Sequence, residues 1–241
     1  RAAAEEADVK VLVLGGTRFL GRHFVNAALS AGHDVTVFTR GVTPSPWTSR
    51  QATHLVGDRD PSKGQGLAAL DGRSFDAAID LSGYVPRCVG ASAKRLEANV
   101  GHYTFISSMS VYADASRPDL DEATPVAALA DPESEDIMAH YGALKARCED
   151  EVRAAFGERA LIIRPGLIVG PHDSSDRFGY WVARFLRTES LGDRPQEAVV
   201  FAPPSRPVQF IDGRDLASWM LDAAVEGATG TFNASSPPRM W

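Results

Sequence analysis

Between Val9 and Leu14 the chain reads VKVLVL, and Gly15-Gly16 follow at once. A short run of β-branched residues and leucines ending in glycine is the pattern of a buried strand rather than an alternating surface one. Phe19, Leu20, Phe24, Val25, Ala28 and Leu29 then recur at spacings of three and four, which predicts a helix. Gly32 stops that pattern before a second strand over Val35 to Phe38. Strand, helix and strand in that order make a βαβ unit. Further strand candidates lie at His54 to Val56, Ala77 to Leu81, Tyr103 to Ser107 and Leu161 to Ile163, separated by segments long enough for crossover helices. The expected fold is α/β, a Rossmann-type doubly wound parallel sheet.

At 241 residues one such domain can close a large core. Residues 1–165 read as a dinucleotide-binding core. Beyond Arg164 the texture changes, because Pro165, Pro171, Pro195, Pro203, Pro204 and Pro207 break the chain into loops and short elements. Residues 166–241 are therefore expected to form a small substrate-binding lobe interleaved with the core. The acidic run from Glu133 to Asp136 reads as a solvated helix start or loop. Because it opens on Arg1 and ends on Trp241 after a Pro-Pro turn signal, the chain reads as trimmed.

Twenty-five Lys and Arg stand against 31 Asp and Glu, a formal charge of −6. Such a chain offers no net basic field to phosphate backbones or anionic membranes, so neither nucleic acid nor a membrane is an expected partner. No apolar run approaches the roughly 18 to 20 residues that span a bilayer, and the first residues lack the apolar centre of a signal peptide. A cytoplasmic location is expected. Cys88 and Cys148 are too isolated for a disulfide framework and read as unpaired thiols. The six histidines form no i, i+4 pair and no cluster with cysteine, so no metal site is expected.

Gly15, Gly16 and Gly21 fall where the first strand gives way to the first helix. There the backbone can turn tightly and approach a pyrophosphate at the helix N-terminus. An NAD site usually ends its second strand on a carboxylate that accepts from the ribose hydroxyls. Here the strand ends Val37-Phe38-Thr39-Arg40, and Arg18 sits within the glycine turn. Two arginines with Thr39 in place of an acid would suit a 2′-phosphate, so NADP is the expected cofactor and NAD the second choice. Asp58, past the third strand, is a candidate for the adenine amino group and equally an ordinary turn residue beside Gly57.

Tyr141 and Lys145 are four residues apart, hence on one face of a helix. A nearby ammonium would lower the phenol toward working pH, where it can give or take a proton. Upstream, Phe105 to Tyr112 ends a strand with three serines, of which Ser108 could hold a substrate oxygen.

In order and spacing these features resemble the short-chain dehydrogenase/reductase superfamily, in its extended and atypical branch, the NAD-dependent epimerase/dehydratase-like family. The matching stretches are Leu14 to Gly21 (LGGTRFLG), Ile106 to Tyr112, Tyr141 to Lys145, Arg164 to Pro171 and Val208 to Asp215. The resemblance implies Tyr141 as acid/base, Lys145 as its pKa modulator and ribose anchor, and Ser108 as partner of the substrate oxygen. Expected cofactor contacts are Gly15, Gly16, Thr17, Arg18, Phe19, Leu20, Gly21, Thr39, Arg40, Asp58, Leu81, Ser82, Gly83, Tyr141, Lys145 and Pro165. Family precedent also implies a homodimer. Arg18 replaces the central glycine of the usual turn, as in the G-G-T-R-F subset, and no Asn stands about two dozen residues before Ser108 to hold a relay water.

Relatives that dehydrate sugar nucleotides carry an Asp-Glu pair directly after the hydroxyl residue, whereas this chain has Met109-Ser110. Carbonyl reduction or alcohol oxidation on a small-molecule or sugar-like substrate is expected ahead of dehydration. The alternatives are a nucleotide-sugar epimerase with retained NAD and a non-catalytic relative that binds NADP or RNA. Substrate contacts are expected from Tyr84, Ser108 and Met109 and from the aromatic cluster Phe178, Tyr180 and Trp181, whose other reading is packing within the lobe.

Overall fold

Val11, Leu12, Val13 and Leu14 are each at most 1% exposed, because successive side chains of the first strand, β1 (Lys10–Leu14), point to opposite faces of a sheet covered on both sides. The structure, a computed structural model, describes residues 8–117, 119–189 and 209–236. Val11 and Val13 pack with Phe24 and Val25 of α1 (Phe19–Ser30) and with Leu216 and Met220 of α5 (Gly213–Val225). Leu12 and Leu14 face the other way, into a core with Val89 of α2 (Pro86–Leu96) and Cys148 and Val152 of α3 (Ile137–Phe156).

Beside β1 lie β2 (Asp34–Thr39), then β3 (Thr53–Val56); on its other side come β4 (Phe75–Asp80), β5 (Val100–Ile106), β6 (Ala160–Pro165) and β9 (Gly230–Ala234). The seven strands are all parallel, in the order β3-β2-β1-β4-β5-β6-β9. The chain winds outward in both directions from β1, so a crevice opens past the carboxyl ends of β1 and β4, where ligands of such sheets bind. Register makes Leu14 the neighbour of both Phe38 and Asp80, bringing the residues after three strands to one place.

Beyond Pro165 the chain serves two structures. β7 (Leu167–Val169) and β8 (Phe210–Asp212) form a separate parallel pair, and α4 (Gly179–Glu189) lies between them in sequence. α5 and β9 return to the seven-stranded layer. The βα alternation therefore resumes where the sequence reading had it stop. β9 reads GTFNA and leaves Gly230 and Phe232 exposed, so this edge strand lacks the apolar run that betrays the interior strands. Pro195, Pro203, Pro204, Pro207 and Val208 lie outside the described residues.

Candidate active site

The crevice is a cavity of about 1090 Å³. Its floor starts at the glycine turn. Gly15 has φ 93°, and a Cβ there would stand 2.7 Å from that of Ser82; a Cβ on Gly21 would stand 2.7 Å from the Gly15 carbonyl oxygen. Any side chain at either position would open the turn, so glycine keeps bare backbone against the cavity at the start of α1. Gly16 lies behind the wall, where a Cβ would press on Val13, Val25 and Val37. Thr17, Arg18, Phe19 and Leu20 line the cavity, and Arg18 Nε donates to Thr43 Oγ1 at 3.1 Å.

Thr39, Arg40 and Asp58 line the same end. Asp58 Oδ1 accepts from the Asp60 backbone N–H at 2.9 Å, which is a turn contact. Next to it stands a group the sequence reading missed. Arg59 donates from both terminal nitrogens to Asp80 at 2.7 Å, from Nη1 to Ser82 Oγ at 3.3 Å and from Nη2 to Ser92 Oγ at 2.6 Å. Asp80 is fully buried and also accepts from Tyr103 Oη and the Ser82 N–H. Burial pushes its carboxyl up, but the Arg59 charge and hydrogen bonds outweigh this and hold it below the usual carboxylate range. A lone carboxylate closing the apolar run Ala77-Ala78-Ile79 was the signal available in the sequence.

At the other end Ser108 caps a short turn after β5, accepting from the Ser110 N–H at 3.1 Å. Tyr141 lies opposite, on α3, close enough to Ser108 for that hydroxyl to act on its phenol, while Ser108 Oγ itself donates to Ser110 Oγ at 3.1 Å. Asp136 caps this helix through the Met138 and Ala139 N–H groups, so the acidic run is a helix start. The helix is interrupted at His140, directly before Tyr141, and a Cβ on Gly142 would run into the Ser110 carbonyl oxygen. Glycine at 142 is what lets α3 pass this close to the turn that carries Ser108 and Ser110. Tyr84 stacks obliquely on Tyr141, with ring centroids 6.4 Å apart.

Lys145 departs from expectation. Its ammonium is 3% exposed, donates to the carbonyls of Gly83, at 2.7 Å, and Ile106, and lies 4.1 Å from the centroid of the Phe105 ring. It ties the ends of β4 and β5 together. The Tyr141 hydroxyl is not lowered: burial and the Tyr84 phenol push it up, against the smaller pulls of Ser108 and Arg177. Burial pushes Lys145 down to about 8.

Leu81, Ser82, Tyr84, Met109, Lys145 and Pro165 line the cavity with Ser108 and Tyr141; Gly83 stands behind it, where a Cβ would strike the Phe105 ring. The aromatic cluster does not line it. The Phe178 ring packs on Phe210 at 5.5 Å, and Tyr180, 53% exposed, meets Trp181 edge-on at 5.2 Å. Arg177, one residue earlier, lines the cavity in their place. Ser107, adjacent to Ser108, donates to buried Glu149 at 2.6 Å, and Arg164 holds that carboxylate through two nitrogens at 2.9 and 2.7 Å. Glu149 continues the Tyr141, Lys145 stripe one helical turn further, a spacing visible in the sequence but not read from it.

Among the described residues no helix is long and apolar enough to cross a membrane. The "Chloroplast stem-loop binding protein of 41 kDa b" of Arabidopsis thaliana is 30% identical over 181 residues, covering 68% of this chain and 43% of the relative. The "2'-dehydrokanamycin reductase" of Streptomyces kanamyceticus is 30% identical over 167 residues, 68% of this chain and 44% of the relative. The chain thus spans less than half the length of either curated relative. Among solved structures, the Bordetella bronchiseptica enzyme WbmG in complex with NAD superposes with a TM-score of 0.72 at 17% identity, over 97% of this chain and 74% of the other. That likeness bears on the fold, a parallel sheet flanked by helices. A family model matches residues 11–234, nearly the whole described chain, and on that match the protein belongs to the NAD dependent epimerase/dehydratase family.

Proposed function

We propose that this protein is an NADP(H)-dependent oxidoreductase that interconverts a carbonyl and an alcohol on a small-molecule or sugar-like substrate, with reduction the favoured direction. The observation that carries the reading is one continuous cavity with a backbone-lined glycine turn at one end and Ser108 and Tyr141 side by side in its lining at the other. The turn fits a dinucleotide, because a Cβ on Gly15 or Gly21 would reshape the backbone that has to approach the pyrophosphate. Arg18 and Arg40 at that end, with no carboxylate at position 39, favour a 2′-phosphate. When bound, the dinucleotide would supply or accept the hydride equivalent.

The chain's own residues handle the proton. A phenol raised above its ordinary value stays protonated at neutral pH, and that is the form a reduction needs, since Tyr141 then donates to the oxygen of the carbonyl as negative charge develops there. Ser108, lining the cavity beside that phenol, steadies the same oxygen. Lys145 fixes the strand ends that carry Gly83 and Ile106 and would reach the ribose from the cavity wall. Met109-Ser110 after Ser108 offers no carboxylates for an elimination. The family description and the name of the Streptomyces kanamyceticus relative support dinucleotide redox chemistry. A net charge of −6 speaks against carrying over the stem-loop binding named for the plant relative.

The test is to oxidise NADPH and NADH with a panel of ketones and aldehydes, after measuring by mass spectrometry what the purified protein retains. Turnover of free NADPH supports the reading. Tightly retained NAD that does not exchange would replace it with an epimerase cycle, and salt-sensitive binding of labelled RNA without any turnover would replace it with a binding protein.

A further inference from the structure

The cavity holds several cations, and nearly all are already committed. Arg59 is paired with Asp80, Arg87 with Asp60 and Glu135, and Lys63 lies 3.7 Å from Asp60. Lys145 is spent on two backbone carbonyls. Arg18 and Arg40 belong to the dinucleotide end.

Arg177 differs from all of these. It arrives after β7, in the turn before α4, and lines the cavity that Ser108 and Tyr141 line. Its Nε donates to Ser175 Oγ at 2.9 Å, and Ser175 Oγ in turn donates to Asp173 Oδ1 at 2.6 Å. A hydroxyl relay therefore aims the guanidinium without neutralising it, and among the described residues no carboxylate stands within ion-pairing distance. The side chain that follows turns the other way, the Phe178 ring packing on Phe210. Arg177 is close enough to the reacting end for its charge to act on the Tyr141 phenol.

A guanidinium that no carboxylate among the described residues neutralises, facing a cavity beside the proposed proton donor, suits an anionic oxygen group. We propose that Arg177 is a substrate-binding residue and that the carbonyl compound taken here carries a carboxylate or phosphate. The inference rests on the oxidoreductase reading for the carbonyl, but its ionic half stands on the cavity alone and is measurable without turnover. Recognition at this end is then by charge, where the sequence had suggested aromatic stacking.

The experiment is calorimetry on protein saturated with NADP+, using two matched pairs of probes: 4-oxopentanoate with its methyl ester, and dihydroxyacetone phosphate with dihydroxyacetone. Each anion is expected to bind on the order of tenfold or more tightly than its neutral partner. Which pair shows the larger preference separates carboxylate from phosphate. Arg177→Gln should erase the preference while leaving NADP+ affinity unchanged, and Arg177→Lys should restore part of it. The inference is overturned if neither pair shows a preference, including the case in which nothing binds, or if Arg177→Gln keeps it. A parallel loss of NADP+ affinity would overturn it too, by making Arg177 a dinucleotide contact. A preference abolished by Arg177→Gln with no NADPH turnover would uphold the anion site and sink the reductase reading.

Discussion

The two ends of the cavity solve the same problem, holding polar groups out of water, by different means. At the glycine-turn end the charges neutralise each other: Asp80 and Arg59 pair, Tyr103 Oη and the Ser82 N–H donate to the carboxylate, and the guanidinium donates to the Ser82 and Ser92 hydroxyls, leaving its Nε without a partner. At the Tyr141 end the groups lean on backbone and hydroxyls, Lys145 on two carbonyls and Ser108 on Ser110. The first arrangement is rigid and electrically closed. The second leaves a phenol, a depressed ammonium and a guanidinium that no carboxylate among the described residues pairs, all lining one space, which is why the proposed chemistry is placed there.

Breaking the closed end should have the largest effect on stability. Asp80→Ala leaves the Arg59 guanidinium, with its Nε already unpartnered, buried without its counter-charge. Removing one partner of a buried pair typically costs about 3–5 kcal/mol. Denaturant unfolding should show that loss, and Arg59→Met combined with Asp80→Ala should recover part of it. If the single variant unfolds like the parent, the pair does not hold this end together.

At the open end the expected loss is catalytic instead. Tyr141→Phe keeps the ring against Tyr84 and removes only the hydroxyl. Turnover should fall on the order of 10²-fold, with kcat carrying the defect and the unfolding curve unchanged. Near-native turnover in Tyr141→Phe would return that residue to a packing role.

How much of this contrast was legible in the sequence follows from its range. The glycine turn, α1 and the ends of β1 and β2 are contiguous, so a short window showed them. Ser108, Tyr141 and Lys145 were found by spacing, but where Lys145 points depends on Gly83 and Ile106, 62 and 39 residues away. The need for glycine at 142 comes from the Ser110 carbonyl, and the Arg59–Asp80 pair joins two strand ends. No local pattern encodes such meetings. For Phe178, Tyr180 and Trp181 the sequence leaves packing and substrate stacking both open, since which of them faces the cavity depends on the distant Phe210, on which Phe178 packs while Arg177 lines the cavity. β9 and α5 escaped because an edge strand with half-exposed side chains has no apolar run.

The ammonium at the open end also predicts a pH dependence of opposite sense to the usual paired lysine. Its folded value is about 8 against 10.5 unfolded, because burial disfavours the charge. Below pH 8 both states hold the proton and the penalty is present in full. Between 8 and 10.5 the unfolded chain holds it and the folded one does not, so stability rises with pH. Relative to Lys145→Met, the parent should therefore gain about 1–3 kcal/mol from pH 7 to pH 10. A flat difference across that window would mean that Lys145 keeps its charge in the folded state.

The smallest effect sharpens the comparison at the dinucleotide end, where two arginines stand apart from the neutralised pair. Arg18 and Arg40 are exposed on the cavity rim, and among the described residues Arg18 is tied to the Thr43 hydroxyl. Each charge-assisted contact to a 2′-phosphate is screened by solvent there, so the pair together should favour NADP over NAD by on the order of tenfold. Replacing both with Ala should weaken NADP alone, leaving NAD affinity within error, because the glycine turn serves what the two dinucleotides share. Raising the salt concentration should narrow the parent's preference in the same direction, since it screens the 2′-phosphate contacts but not the buried Arg59–Asp80 pair. Calorimetry with both dinucleotides at two salt concentrations reads all of this. A parent that prefers NAD, or a double variant with its preference intact, would show that Thr39 and the arginines do not select the cofactor, and the closed pair behind them would then be the place to look for what does.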